Sequence, residues 1–344
     1  MFSGCYTAMI TPLTHDGQVD HEGLEKLVEF QVQQGITGVL AVGTTGESPT
    51  LTWEEHHAVT GEICGLARGR CRAIAGTGSN STDETLKATE HAAQAGADTA
   101  LLVDPYYNGP SSLEIRREYV APVAKAFPEL QMIPYVIPGR SGTQLLPEDI
   151  GILHRDYKNV GAVKEATGDL GNMARTRSCC GEDFDILSGD DDKTYQMMTD
   201  PAIKASGVIS VMSNVVPGPI TRFVAAVNEG RMDEADRLTA ALKPLFGMVT
   251  IISDESTAFG NTAVKARNPL PIKTLMNILG MPSGPCRRPL GRMNASGLEK
   301  VLEIARTVLE TSPEVFEPIG SFFGVDIGAR LQDPATLSGL AYAD

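Results

Sequence analysis

Short runs of Val, Ile, Leu and Ala recur along the chain at intervals of roughly 25–35 residues, the size of a strand, helix and strand unit. Eight are found: "GCYTAMIT", "GVLAVGT", "CRAIAGT", "TALLVDP", "QMIPYVI", "VGAVKEAT", "FDILSGD" and "GVISVMSN". Most are apolar at consecutive rather than alternate positions, the pattern of strands in a parallel sheet covered on both faces. The segments between them carry helical spacing. In "HEGLEKLVEFQVQQG", Leu24, Leu27, Val28 and Val32 fall three and four apart, and Gly35 follows. "STDETLKATEHAAQAG" opens on a Ser/Thr cap with an acidic first turn and closes on glycine. Eight strands in strict alternation with helices predict an α/β fold, a closed (β/α)8 TIM barrel, and no run is followed by the Gly-x-Gly-x-x-Gly nucleotide fingerprint.

The alternation stops after the eighth run. Residues 217–311 read as helices that complete and pack on a barrel spanning 1–216, with "EADRLTAALKPLFGM", "PLPIKTLMNILG" and "SGLEKVLEIARTVLE" among them. Residues 312–344 have weak periodicity and scattered Gly and Pro, and read as an extension without a predicted order.

A net charge of -14 over 344 residues gives a field that repels phosphate backbones and anionic headgroups, so neither nucleic acid nor membrane is an expected partner. A few local cations can still hold a small carboxylate. The six cysteines form no Cys-x-x-Cys pair and are expected as thiols. The first residues lack a signal-peptide layout and no apolar run approaches the ~20 residues of a membrane span, so a cytoplasmic location is expected.

Active sites of such barrels lie at the C-terminal strand ends. There stand Thr44 and Thr45 in "GTTGES", Tyr106 and Tyr107 in "DPYYNG", Tyr135 and Arg140 in "PYVIPGR", Lys164 in "VGAVKEAT" and the acids of "SGDDD". A lysine inside an apolar strand has two readings: a solvated or salt-bridged side chain, or an amine held out of water so that its pKa falls and it attacks a carbonyl. Tyrosines and threonines relay protons, and arginine pairs with carboxylate, so the set outlines Schiff-base chemistry on an oxo acid. The tyrosines also fit a core role. His56 and His57 point about 100° apart on a helix and do not chelate one ion. Asp190, Asp191 and Asp192 read as a solvated acidic loop, and no metal is expected.

"GTTGESPTL", "DPYYNGPS", "YVIPGRSG", "AVKEATGDL", "GVISVMSN" and "NPLPIKTLM" resemble, in order and spacing, the pyruvate-dependent class I aldolase (N-acetylneuraminate lyase) superfamily, and within it most nearly the dihydrodipicolinate synthase family. The resemblance covers roughly residues 3–310. It implies a lyase that condenses pyruvate with L-aspartate 4-semialdehyde to 4-hydroxy-tetrahydrodipicolinate in lysine and diaminopimelate biosynthesis. It makes Lys164 the lysine that forms an imine with pyruvate, with no other cofactor. Tyr135 becomes the main proton donor and acceptor, linked through Thr44 to Tyr107 reaching in from a neighbouring subunit of a homotetramer built from dimers. Thr45, Arg140, Ile209 and Gly189 become substrate contacts, Thr45 on the pyruvate carboxylate and Arg140 on that of the aldehyde. A lysine feedback site is implied at Ser48, Trp53, His56, Asn80, Glu84 and Tyr106. Where the family usually has asparagine after the catalytic tyrosine, this chain has Val136. The rival readings are an aldolase or dehydratase of 2-keto-3-deoxy sugar acids or N-acetylneuraminate, and a non-catalytic amino-acid-binding protein on the same barrel.

Overall fold

The computed structural model describes residues 2–343. Eight parallel strands close on themselves in chain order. They are β1 (Gly4–Ala8), β2 (Gly38–Ala41), β3 (Arg72–Gly76), β4 (Thr99–Val103), β5 (Gln131–Val136), β6 (Ala162–Glu165), β7 (Asp185–Ser188) and β8 (Gly207–Ser210), one from each apolar run. The barrel predicted from the alternation is therefore present. Its seam is the β1/β8 pair, in which Gly4 faces Gly207. A Cβ at Gly207 would lie 2.0 Å from the Gly4 carbonyl oxygen, so the seam closes only over glycine.

Side chains alternate between two cores. Tyr6, Leu40, Ile74, Leu101, Ile133, Leu187 and Ile209 point inward and fill the barrel. Their neighbours Cys5, Val39, Ala41, Ala75, Leu102, Val163, Ile186 and Val208 point outward against the helices. Both faces are dry, which is why the runs show no polar alternation; each fully buried Leu or Ile contributes about 1.5–3 kcal/mol. The helices begin where capping chemistry places them. Asp20 accepts from Gly23 N ahead of His21–Gln33, Thr52 and Glu55 form a reciprocal capping box ahead of Trp53–Ala67, and Ser81 caps Thr82–Ala95, which ends at Gly96 in a left-handed turn.

Four long helices follow the barrel: Pro217–Asn228, Met232–Phe246, Leu270–Ile278 and Ala295–Thr311. The expectation of helix throughout 217–311 fails between them. An antiparallel hairpin, β9 (Thr250–Thr257) and β10 (Gly260–Arg267), runs in register from Thr250↔Arg267 to Thr257↔Gly260. Its outer half is exposed and polar, and only Ile251, Ser253 and Ala266 are buried, so it carries no apolar stripe. The extension is ordered. Its short helices seat Val315, Phe316, Ile319 and Leu331 in the core, and the rings of Phe322 and Phe323 each lie 5.2 Å from that of Phe30 in the first helix. Among the described residues no helix is long and apolar enough to cross a membrane.

Candidate active site

Tyr135 of β5 pairs in register with Lys164 of β6, and both side chains point into the mouth of the barrel. Lys164 is only 4% exposed, and its Nζ lies 4.2 Å from the centroid of the Tyr135 ring. Burial lowers the Lys164 pKa to about 8, against the pull of Asp190 and Asp191 and with help from Arg140. The lysine stem fits because residue 189 is glycine: a Cβ there would sit 3.2 Å from Lys164 Cε and 2.8 Å from the Ala166 Cβ. Burial also raises the Tyr135 hydroxyl to about 12, the largest of its influences, while Arg140 and the Thr44 side chain favour its anion. The pair is thus a deprotonatable amine beside a phenol that keeps its proton.

A cavity of about 210 Å³ opens above them, lined by Thr44, Ser48, Tyr106, Tyr135, Ile137 and Arg140 among others. Arg140 stands at its rim and donates from Nη2 to the Asn268 carbonyl at 3.1 Å. The fold therefore gathers Thr44, Tyr135, Lys164, Gly189 and Arg140. Thr45 is buried beside them and, like Lys164 and Gly189, lies behind the lining of the cavity; its Oγ1 accepts from Asn268 Nδ2 at 2.9 Å. Ile209 packs deeper, in the inner core. Tyr107 is not part of its own chain's cavity: it is 94% exposed, at a φ of +79°.

The lysine of "NPLPIKTLM" is a functional residue that the sequence reading leaves without a role. Lys273 Nζ donates to Glu47 Oε1 at 2.7 Å and to the carbonyls of Pro285 and Thr11, and Glu47 Oε2 accepts from the Arg287 N–H. Both side chains are 1% exposed. The pair pins Glu47, whose φ of +59° is left-handed, and with it the turn carrying Thr44 and Thr45. A charge in the otherwise apolar helix around Lys273 was the available signal. The acidic loop is also different from expectation. Asp191 is buried and accepts from Ser210 Oγ and from the Val211 and Met212 N–H groups, tying β7 to β8.

Val136 points away from the cavity into the outer core. It pairs with Glu165 on one side, and the register Val103↔Tyr135 sets Asp104 on the other. Asp104 Oδ2 accepts from the Leu145 N–H at 2.9 Å, but Oδ1 has no partner, where an amide in place of Val136 would be adjacent. Burial, with the Glu165 charge added, pushes Asp104 up to about 8, and burial raises Glu165 to about 7. A carboxyl whose folded-state pKa is raised holds its proton more tightly folded than unfolded, so stability falls as pH rises from ~4 to ~8. Asp104→Asn should therefore gain on the wild type as pH rises from ~4 to ~8, its advantage being larger at pH 8.5 than at pH 5 by roughly 2–4 kcal/mol. Chemical denaturation at the two pH values checks this; equal effects at both would contradict the assignment.

The six residues of the implied lysine site all follow the C-terminal ends of β2, β3 and β4. Ser48 and Tyr106 line the cavity, Tyr106 N donates to Asn80 Oδ1 at 2.9 Å, Glu84 accepts from Ser79 Oγ, and the Trp53 and His56 rings are 5.0 Å apart. His56 is buried, and burial first, then the neighbouring His57 and His91, hold its pKa down at about 4 against a contact with the Gly76 backbone. Among the described residues no three His, Cys, Asp or Glu side chains are grouped to hold a metal ion.

Comparison with known proteins follows the same line. The model of the Dihydrodipicolinate synthetase family matches residues 1–308. A 4-hydroxy-tetrahydrodipicolinate synthase from Geotalea daltonii is 40% identical over 306 residues, 89% of this chain and 98% of the relative. Among solved structures, dihydrodipicolinate synthase from Aquifex aeolicus superposes with a TM-score of 0.81 at 36% identity, covering 92% of this chain and 100% of the other. DHDPS from Cyanidioschyzon merolae with lysine bound gives a TM-score of 0.80 at 34% identity, covering 89% and 98%.

Proposed function

We infer the activity from the premise that this chain belongs to the dihydrodipicolinate synthetase family: it is a lyase that condenses pyruvate with L-aspartate 4-semialdehyde to 4-hydroxy-tetrahydrodipicolinate, in lysine biosynthesis. The observation that carries the reading is a buried amine with a lowered pKa, held against a protonated phenol below an arginine-rimmed cavity.

The chemistry runs through Lys164. Its neutral amine adds to the pyruvate carbonyl carbon; water leaves as the iminium forms. The iminium is an electron sink, so a methyl proton departs to give an enamine, with Tyr135 and Thr44 moving protons. The enamine carbon attacks the aldehyde, whose oxygen takes a proton, and a carbon–carbon bond forms. The aldehyde's own amine then attacks the imine carbon and displaces Lys164, closing the ring. Arg140 receives the aldehyde's carboxylate. Thr45 supports the pyruvate end of the site from behind, through its tie to Asn268. Gly189 leaves room for the lysine stem, and Ile209 closes the floor.

Tyr107 serves a neighbouring subunit's site in a homotetramer built from dimers, a placement supported by its exposure. Lysine acts as a feedback inhibitor at the site containing Ser48, Trp53, His56, Asn80, Glu84 and Tyr106, supported by the likeness to a relative solved with lysine bound. A cytoplasmic location suits the role.

The test is turnover of pyruvate with aspartate semialdehyde, coupled to the following reductase so that nicotinamide oxidation reports product. Robust pyruvate-dependent turnover is expected. A folded protein that releases pyruvate from a 2-keto-3-deoxy sugar acid and leaves the semialdehyde untouched would overturn the assignment.

A further inference from the structure

The hairpin β9–β10 ends beside the cavity. Arg267, the last residue of β10, donates from Nη1 to the Gly139 carbonyl at 3.2 Å, while Arg140 donates from Nη2 to the Asn268 carbonyl at 3.1 Å. Each guanidinium thus bonds to the backbone next to the other, and the exchange brings two cations to one side of the rim. Neither arginine forms an ion pair among the described residues. Each uses one N–H on a carbonyl and keeps most of its five donors. Like charges held together raise the energy of the empty site, and an anion between them relieves it. Their mutual influence is felt at Arg140, whose hold on its proton is weakened first by burial and then by Arg267, against counter-pulls from Tyr135 and, more weakly, Asp190.

The chain's net charge of -14 opposes the approach of anionic substrates. A local pair of cations at the rim answers that repulsion where it matters. We infer that Arg267 is a specificity-determining residue, the second arm of a two-arginine clamp that captures the carboxylate of the aldehyde acceptor with Arg140. The inference rests on the reading of Arg140 given above, and adds to it a residue from outside the barrel. Its position is fixed by the hairpin: Arg267 is locked in register with Thr250, and the preceding Ala266 is buried. The clamp favours acceptors that carry a carboxylate over neutral aldehydes.

Arg267→Gln is the discriminating variant, because glutamine can still donate to the Gly139 carbonyl while the charge is gone. The aldehyde KM should rise about 10-fold with kcat and the pyruvate KM moving by less than ~2-fold, and the aldehyde kcat/KM should depend less on ionic strength. Arg267→Lys should recover part of the loss, since a point charge replaces a fork. If the aldehyde KM is unmoved, or both KM values rise together, Arg267 is only a strut to the Gly139 loop and the inference falls. Binding of succinate, an unreactive short dicarboxylate, to wild type and Arg267→Gln by calorimetry separates this question from turnover. Should the wild type fail to use aspartate semialdehyde, the proposed function is lost, yet succinate binding about 10-fold weaker in the variant would uphold the clamp and equal binding would overturn it.

Discussion

Lys164→Ala should lower turnover by about four orders of magnitude or more, because every bond-making step proposed here passes through its amine. The same variant should lose the covalent adduct that borohydride leaves on the wild type in the presence of pyruvate, read by intact-protein mass. The fold should survive, since the register partners of Lys164 in the two flanking strands, Tyr135 and Leu187, stay packed in the inner core. The wild-type pH profile carries a second signature of the same group. With a pKa of about 8 in the free enzyme, the attacking free base is the minor form at pH 6 and the major form at pH 9. The kcat/KM for pyruvate should therefore climb about 10-fold per pH unit below that pKa and level off above it. A profile flat from pH 6 to 9 would mean that another group, or another step, limits capture of pyruvate. An adduct that persists in Lys164→Ala would move the Schiff base to a different lysine.

Lys273→Ala should cost about 3–5 kcal/mol of stability, the penalty for leaving a buried partner charge uncompensated. The partner is Glu47, which accepts from Lys273 Nζ and from the Arg287 N–H and has no solvent to fall back on. The loss should appear as a lower denaturant midpoint, and activity should fall as well, although Lys273 touches nothing in the cavity. The path is the turn: with Glu47 released from its left-handed conformation, Thr44 is no longer held opposite Tyr135. A double variant, Glu47→Gln with Lys273→Met, removes both charges and should recover much of the stability without restoring the turn, so stability and activity part company. If Lys273→Ala unfolds at the wild-type midpoint, the pair contributes no more than packing.

The barrel was legible because parallel strands between two dry cores are apolar at every position, which makes "TALLVDP" and "GVISVMSN" stand out from the helices between them. Lys164 was legible for the converse reason, a charge in such a run. Tertiary facts were less visible. The Thr45 hydroxyl accepts from Asn268, a bond spanning 223 positions of the chain that no local pattern announces. The side to which Val136 turns follows from strand alternation, which sends it outward when Tyr135 points in. The hairpin escaped notice since Asp254, Glu255 and Lys265 interrupt its β-branched residues on an exposed face, and Arg267 went with it. The final helices depend on Phe30 being in place to receive Phe322 and Phe323, and no local pattern announces that.

The tie between Glu47 and Lys273 spans 226 positions, and that distance has a meaning for the order in which the protein comes into being. Strands emerge from the ribosome in the order in which they lie around the barrel, so a nascent chain that has released β8 already owns Lys164, Tyr135, Thr44 and Arg140. It does not yet own the lysine that sets the Thr44 turn, nor the carbonyl that Arg140 leans on. A half-made enzyme of this kind holds its reactive amine in an unfinished pocket, and competence arrives late, in the last third of synthesis, as a property of the completed chain.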